Sequence, residues 1–179
     1  MMFLALVGAR PIVRMSFKME STSAFSMAFG FGKFLKSPIL IQGLTDNTPY
    51  FYKVKAINEF GESDFTELLG TTPSASGSKV LIVNGFDRVS GTTNSFDFIL
   101  EHGNAIYING YTFDSASNES VINGLIKLDD YAIVDWILGE EGATTSSFDE
   151  KEKTLVQDYI INGGRLFVSG SEIGYDLVE

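Results

Sequence analysis

The stretch KVLIVNGFDR, Lys79–Arg88, decides the fold class of this chain. It opens with a short, uninterrupted apolar run and then breaks into a polar loop. A strand with one solvent-exposed face alternates apolar and polar residues, whereas a continuous apolar strand is typical of a parallel sheet that helices cover on both faces. The stretch therefore predicts an α/β region in which helices flank a parallel sheet.

The segments that follow Arg88 alternate between helix and strand patterns. They predict an open parallel sheet with the strand order 2-1-3-4, counted from the strand at Lys79, in a domain that we expect to be truncated at its C-terminus. The predicted elements are a helix over 95–103, a strand over 105–108, a short helix over 118–126, a strand over 131–138, a long helix within 146–164 and a strand over 165–170.

The long helix carries its own start and stop signals. Ser147 and Glu150 have the spacing of a capping box, and Gly163 is typical of a helix exit. Its predicted apolar face consists of Leu155, Val156, Tyr159 and Ile160.

The residues before the α/β region have a different pattern. PYFYKVKAINEFGES, residues 49–63, alternates strongly, with one face formed by Tyr50, Tyr52, Val54 and Ala56. This period of two predicts a strand, and FTELLGTT, residues 65–72, is the predicted returning strand of a hairpin.

A Ser/Thr/Gly/Pro cluster separates the two regions and predicts two domains. We expect a first module over 1–73, a linker over 74–78 and an α/β domain over 79–179. The charge shifts at the same place: residues 1–76 hold seven Lys/Arg and six Asp/Glu, whereas residues 77–179 hold six and seventeen. The acidic second half disfavours a nucleic-acid partner.

Composition excludes some chemistry and leaves the location open. The chain has no cysteine, so neither disulfides nor a cysteine nucleophile are available. No segment is long enough to predict a membrane span, and the short apolar run at Phe3–Val7 is a poor signal peptide because no basic residue precedes it.

The loops after the parallel strands hold the candidate site residues. Ligands of open α/β sheets bind outside the carboxyl ends of the strands, where these loops meet. We predict Glu141 and Glu172 as a catalytic acid/base pair at this edge. The predicted binding residues are Asp87, Arg88, Asn118, Glu119, Glu140 and Ser171.

The residues at this edge favour some kinds of site over others. The loop after the first strand lacks a phosphate-binding glycine pattern. A serine nucleophile is disfavoured because the only histidine, His102, is predicted at a helix end. A carboxylate cluster could hold Mg²⁺ or Ca²⁺ or do acid/base work, and the alternative is a solvated acidic rim. Asp135, inside an apolar strand, is predicted to be a hydrogen-bonded or edge-facing acid.

The first module resembles the second half of a fibronectin type III domain over residues 38–73. The residues that carry the resemblance are Leu44, Tyr50, Val54, Ala56, Asn58, Gly61, Glu62 and Ser63. It implies a partial β-sandwich in which Tyr50 forms a tyrosine corner, with its hydroxyl bound to the backbone upstream. Residues 1–37 depart from the family because they contain no core tryptophan.

The second module resembles a domain that follows fibronectin type III modules in secreted bacterial proteins. LIVNGFDR, FDSASNE, YAIVDWILGEE and GGRLFVSGSEIGYDL carry this resemblance, which is to xanthan lyase-like proteins and to proteins labelled N-acetylmuramoyl-L-alanine amidase. The domain is also similar to the flavodoxin-like, glutamine-amidotransferase-like superfamily. Catalytic members of that superfamily have a cysteine elbow where this chain has Ser169–Ser171.

These resemblances imply a functional context. They suggest a secreted or cell-surface multidomain protein whose partners are neighbouring modules and a polysaccharide or cell-envelope glycan. The expected function is a non-catalytic or accessory module pair, without a cofactor unless a divalent cation binds. The alternative is a polysaccharide lyase or cell-wall hydrolase that uses the acidic edge of the sheet.

Overall fold

The computed structural model of the chain describes most of the second half and parts of the first. The described residues are 3–4, 14–19, 26–28, 38–40, 43–58, 61–89, 91–140, 146–171 and 173–176. Most of the signal-like start and both predicted catalytic acids, Glu141 and Glu172, lie outside these ranges.

The described part of the first half consists of strands. They are β1 Phe3–Leu4, β2 Arg14–Met19, β3 Ser26–Ala28, β4 Pro38–Leu40, β5 Tyr50–Asn58, β6 Gly61–Glu62 and β7 Leu69–Thr71. β5 pairs antiparallel with β2, β6 and β7, so the predicted hairpin is confirmed. β3 and β4 form a separate antiparallel pair.

The second half alternates strands and helices, as predicted. Its elements are β8 Val80–Asn84, α1 Phe98–Ile108, β9 Phe113–Ser117, α2 Asn118–Ile122, a 3-10 turn at Leu128–Asp130, β10 Ile133–Gly139, α3 Glu150–Ile161, β11 Arg165–Gly170 and α4 Ile173–Asp176. Its four strands are parallel and lie in the order β9-β8-β10-β11. This is the predicted order 2-1-3-4, although membership of the flavodoxin-like superfamily remains a prediction.

The position of the second parallel strand was predicted wrongly. Residues 105–108 form the end of α1, and the strand lies at Phe113–Ser117. A four-residue apolar run does not distinguish a strand from a buried helix segment. Ile106 continues the apolar helix face that begins at Ile99, and both pack beside Phe113. His102 consequently lies inside α1, and its predicted place at a helix end was also wrong.

The capping box of α3 lies two residues after the predicted one. Asp149 is the N-cap: its Oδ1 accepts the backbone N–H of Glu152 at 2.7 Å, and the Glu152 carboxylate accepts the Asp149 N–H at 2.7 Å. Gly163 follows the helix with a φ of 91°, which confirms the predicted exit. Val156 and Tyr159 are buried as predicted, whereas Ile160 is 49% exposed and was assigned to the wrong face.

The two halves share one continuous sheet. β7 pairs antiparallel with β9 at Thr71 and Asp114, and the Thr72 N–H donates to the Phe113 carbonyl at 2.6 Å. Among the described residues, the eight strands β1-β2-β5-β7-β9-β8-β10-β11 and β6, which pairs with β5, therefore form one mixed sheet with α/β character. The domain boundary near residue 73 and the partial fibronectin type III sandwich remain predictions.

Helices cover the two faces of the parallel strands unequally. Leu81, Val83, Trp136 and Leu138 form a fully buried layer under α2 and α3. The opposite face holds Val80, Ile82, Phe113 and Ile137, with α1 packed over them through Ile99. Strand alternation sends neighbouring residues to opposite faces, which is why continuous apolar strands are required here.

Tyr50 has the contact that a tyrosine corner entails. Its side chain is buried, and its hydroxyl accepts the backbone N–H of Thr45, five residues upstream, at 3.2 Å. Leu44, the residue before Thr45, is half-buried. The contact fixes the entry to β5, and so helps to position the hairpin that meets β9.

Candidate functional site

The carboxyl ends of the parallel strands surround a small polar cleft. β8 ends at Asn84, β9 at Ser117 and β10 at Gly139, and because the strands are parallel these ends meet at one edge. The cleft has a volume of about 290 Å³. Its lining residues are Gly85, Asp87, Arg88, Asn118, Ser146, Ser147, Asp149 and Glu152. Three predicted binding residues, Asp87, Arg88 and Asn118, are thus brought together.

Gly85 allows the loop after β8 to pass close to the core. A Cβ atom at this position would lie 2.0 Å from Nε1 of Trp136, so no side chain fits without a shift of the indole. The Gly85 N–H donates to the Ile137 carbonyl at 2.8 Å, which ties the loop to β10. This close approach holds Asp87 and Arg88 at the rim of the cleft.

The floor of the cleft contains a buried amide–carboxyl pair. Nδ2 of Asn118 donates to Oε1 of Glu152 at 3.0 Å, and both side chains are buried. Burial raises the pKa of Glu152, and the negative charges of Asp149 and Asp87 add to this effect. The hydrogen bonds from the Asp149 backbone and from Asn118 oppose it. Glu152 therefore links α2 to the start of α3 through both of its oxygens.

Glu140 has a structural role at the same edge. Its carboxylate accepts the Thr93 N–H at 3.0 Å and a short hydrogen bond from the Thr93 hydroxyl. These bonds lower the pKa of Glu140. The Glu140 carbonyl accepts from Nη2 of Arg88 at 2.8 Å, so the residue ties the loop after β10 to the loop after β8.

The remaining predicted residues are dispersed. Glu119 is exposed at the start of α2, and Ser171 donates its backbone N–H to the Gly139 carbonyl at 2.8 Å. Neither of them lines the cleft. Glu141 and Glu172 lie outside the described residues, and their acid/base pairing remains a prediction.

Glu67 is an acid that the sequence did not single out. It lies between β6 and β7, and its Oε2 accepts from Nδ2 of Asn84, the last residue of β8, at 2.5 Å. Burial raises its pKa to about 7, and the charges of Glu119 and Asp87 contribute in the same direction. A carboxyl from the first half thus sits against the carboxyl edge of the parallel strands. Glu67 and Asn84 are seventeen residues apart, and no sequence motif connects them.

Within the described ranges, no group of three or more His, Asp or Glu side chains is arranged to hold a metal ion. Binding of a divalent cation therefore remains a prediction. In the same part of the chain, no helix is both long and apolar enough to cross a bilayer.

Comparison with models of known protein families gives no match for this chain, and comparison with curated protein sequences gives none either. The geometry of the described residues is therefore the basis for a functional proposal.

Proposed function

We propose that the chain is a non-catalytic accessory module pair that binds a polysaccharide or cell-envelope glycan in the cleft at the carboxyl edge. The observation that carries this proposal is the polar cleft built from three separate loops around Asn118 and Glu152. Sugar hydroxyls both donate and accept hydrogen bonds, and the cleft offers carboxylate acceptors, the Arg88 guanidinium and serine hydroxyls. Its volume is near the lower end of the ~300–1,000 Å³ typical of ligand sites, which suits a single sugar unit of a chain.

The occupied acids support a binding role over catalysis. Both oxygens of Glu152 already accept hydrogen bonds, and Asp149 caps α3. A general acid or base needs a proton that it can exchange with a substrate, whereas these groups hold the fold around the cleft. The location that we propose, secreted or cell-surface in a bacterial multidomain protein, rests on the resemblance of the two modules.

Glu67 favours one alternative, a polysaccharide lyase or cell-wall hydrolase. A carboxyl with a pKa of about 7 is part of the time protonated at neutral pH, as a general acid requires. Glu67 would then serve at the same edge as the predicted pair Glu141 and Glu172. This alternative needs Glu67 to reach the substrate.

The two proposals are separated by one set of assays on the full chain. Binding to bacterial polysaccharides and peptidoglycan fragments is measured by calorimetry, and cleavage is followed by release of reducing ends. We expect saturable binding without cleavage, at least about tenfold weaker in Asp87→Asn, since the negative charge is lost and one acceptor oxygen at the rim becomes an N–H donor. Asp158→Asn, an exposed acid near the other end of α3, is the matched control.

Binding that is equal in wild type and Asp87→Asn would contradict the cleft as the site. Release of reducing ends that disappears in Glu67→Gln would replace the accessory role by the enzymatic alternative.

A further inference from the structure

A second and larger cleft lies on the opposite side of the sheet from α3. It has a volume of about 580 Å³ and runs between α1 and the strands β10 and β11. Its walls are mostly apolar, formed by side chains that include Val80, Ile106, Ile133 and Phe167. Phe167 is 58% exposed on β11, so the cleft has an apolar side open to solvent.

A hydrogen-bonded polar pair lies within this mostly apolar surface. Nδ1 of His102 on α1 and Oδ2 of Asp135 on β10 are 2.7 Å apart, with side-chain exposures of 25% and 9%. Residues 133, 135 and 137 of β10 share the face that α1 partly covers, and Asp135 lies beside Phe167 of β11 in the parallel register. The pair therefore sits at the border between the surface under α1 and the open cleft.

The second oxygen of Asp135 has no hydrogen-bond partner among the described residues. Oδ1 is inaccessible to solvent, and no donor of the described chain reaches it. Leaving a buried polar atom unpaired costs about 1–3 kcal/mol, and more for a charged group, so such atoms are rare in folded proteins. A cation held in the cleft beside Asp135 would offset part of the cost of burying its charge.

The charges around the cleft favour a cation as its occupant. Glu101 and Asp135 both line it, and among its lining residues only His102 can carry a positive charge. The hydrogen bond to Asp135 raises the pKa of His102. Even with a protonated imidazole, two carboxylates outnumber one cation, so the cleft keeps a negative charge.

We propose that this cleft binds a small primary ammonium compound with an apolar body, whose positive charge lies beside Asp135 and Glu101. The apolar body lies against Ile106, Ile133 and Phe167 in the walls of the cleft. This site is on the α1 face, and its occupant is independent of the glycan that we propose for the carboxyl edge.

The only histidine of the chain reports directly on this site. The test is a titration of the full-length protein with benzylammonium, followed through the His102 imidazole signals by ¹H–¹³C NMR. Benzoate has the same ring with the opposite charge and is the matched ligand control. We expect saturable His102 shifts with benzylammonium and binding of benzoate that is at least about tenfold weaker.

Two variants locate the contact. Asp135→Asn keeps the size of the side chain and removes its charge, and we expect at least about tenfold weaker binding of benzylammonium. Phe167→Ala removes a ring that is 58% exposed, and we expect about fivefold weaker binding from the lost apolar contact. Asp158→Asn, on the α3 side, is expected to bind as wild type does.

Three results would overturn the proposal. They are equal affinity for benzylammonium and benzoate, unchanged affinity in both cleft variants, and a concentration-dependent dimer that shields Phe167 while benzylammonium fails to bind. The last result would assign the cleft to a second copy of the chain.

Discussion

The two faces of the parallel sheet are formed by alternate residues of the same strands, but helices cover them to different extents. On the α3 side, Val134, Trp136 and Leu138 of β10 are fully buried. On the α1 side, the residue between Val134 and Trp136 is an acid, Asp135, and its neighbour on β11 is the exposed Phe167. Adjacent positions on one strand thus face a closed core and an open cleft.

This difference indicates that the packing of helices, rather than the residues of the strands, determines which face of the sheet is closed to solvent. α2, α3 and the start of α4 contribute Val121, Tyr159 and Ile173 to the α3 side. α1 is the main helical cover on the other side, and it lies over β8 and β9 more than over β11. Four predictions test this contrast, beginning with the largest effect.

The first prediction compares one residue from each face. Leu138→Ala opens a cavity in the closed core and should lower the free energy of unfolding by about 2–5 kcal/mol. Phe167→Ala should change it by less than about 1 kcal/mol because much of the ring is already in water. Urea unfolding followed by the fluorescence of Trp136, the only tryptophan, measures both. Similar losses in the two variants would show that the α1 side is closed as well.

The second prediction concerns two acids at the carboxyl edge, the partly buried Glu67 and the buried Glu152. Burial raises the pKa of both, and that of Glu67 rises from 4.5 to about 7. Between these pH values the folded state keeps a proton that the unfolded state loses, so stability falls as pH rises. Glu67→Gln should make this slope smaller without removing it, because the pKa values of Glu152 and His102 are also raised. The variant should be more stable than wild type by about 1–3 kcal/mol at pH 8.

Denaturant unfolding at pH 4.5, 6 and 8 checks this second prediction. Asp64→Asn, an exposed acid of the same loop, is the matched control and should keep the slope of wild type. If the free energy of unfolding changed with pH in the same way in wild type and Glu67→Gln, the proton that the folded state retains would not be on Glu67.

The third prediction concerns the start of α3, on the closed side. Asp149→Ala removes the acceptor that two backbone N–H groups share and should cost about 1 kcal/mol. Asp149→Asn retains a capping oxygen and should cost less than half as much. Thermal unfolding by circular dichroism distinguishes them, and equal losses would mean that the charge matters more than the cap.

The fourth prediction concerns the start of α1, on the open side, and has the smallest effect. Asp97 makes no side-chain cap, and its carboxylate pairs with Lys53 of β5 at 3.1 Å, where both groups are exposed. Asp97→Ala should cost at most about 0.5 kcal/mol and less at high salt. A loss as large as that of Asp149→Ala would remove the contrast between the two helix starts.

Local patterns predicted most of the fold. Apolar runs placed β8, β10 and β11 within a residue or two, and the alternation at Tyr50 placed β5, because these signals depend on neighbours in the sequence. The strand at 113–117 was missed because FDSAS contains only two apolar residues, Phe113 and Ala116. Its burial comes from β8 and α1, which no local pattern reveals.

The candidate site was predicted less completely, for a physical reason. Topology alone brings Asp87, Arg88 and Asn118 to one edge, so these could be chosen from the sequence. Glu152 was overlooked because Ser147–Glu150 and Asp149–Glu152 both fit the capping pattern, and only the packing of α3 selects between them. The pairing of His102 with Asp135 needs the crossing of α1 over β10, which spacing does not encode.

The junction of β7 with β9 has a consequence for how the chain folds. Thr71 and Asp114 meet across 43 residues, and the bond from Thr71 Oγ1 to Asp114 Oδ1 is 2.5 Å. Loop closure costs conformational entropy that rises slowly with loop length, and contacts between residues far apart in sequence slow the folding of a domain. We therefore expect the hairpin β5–β7 to dock on β9 late, after β8 and β9 have formed their parallel pair. Until that step β9 is a bare edge strand, and a chain deprived of the hairpin would keep an edge open to self-association.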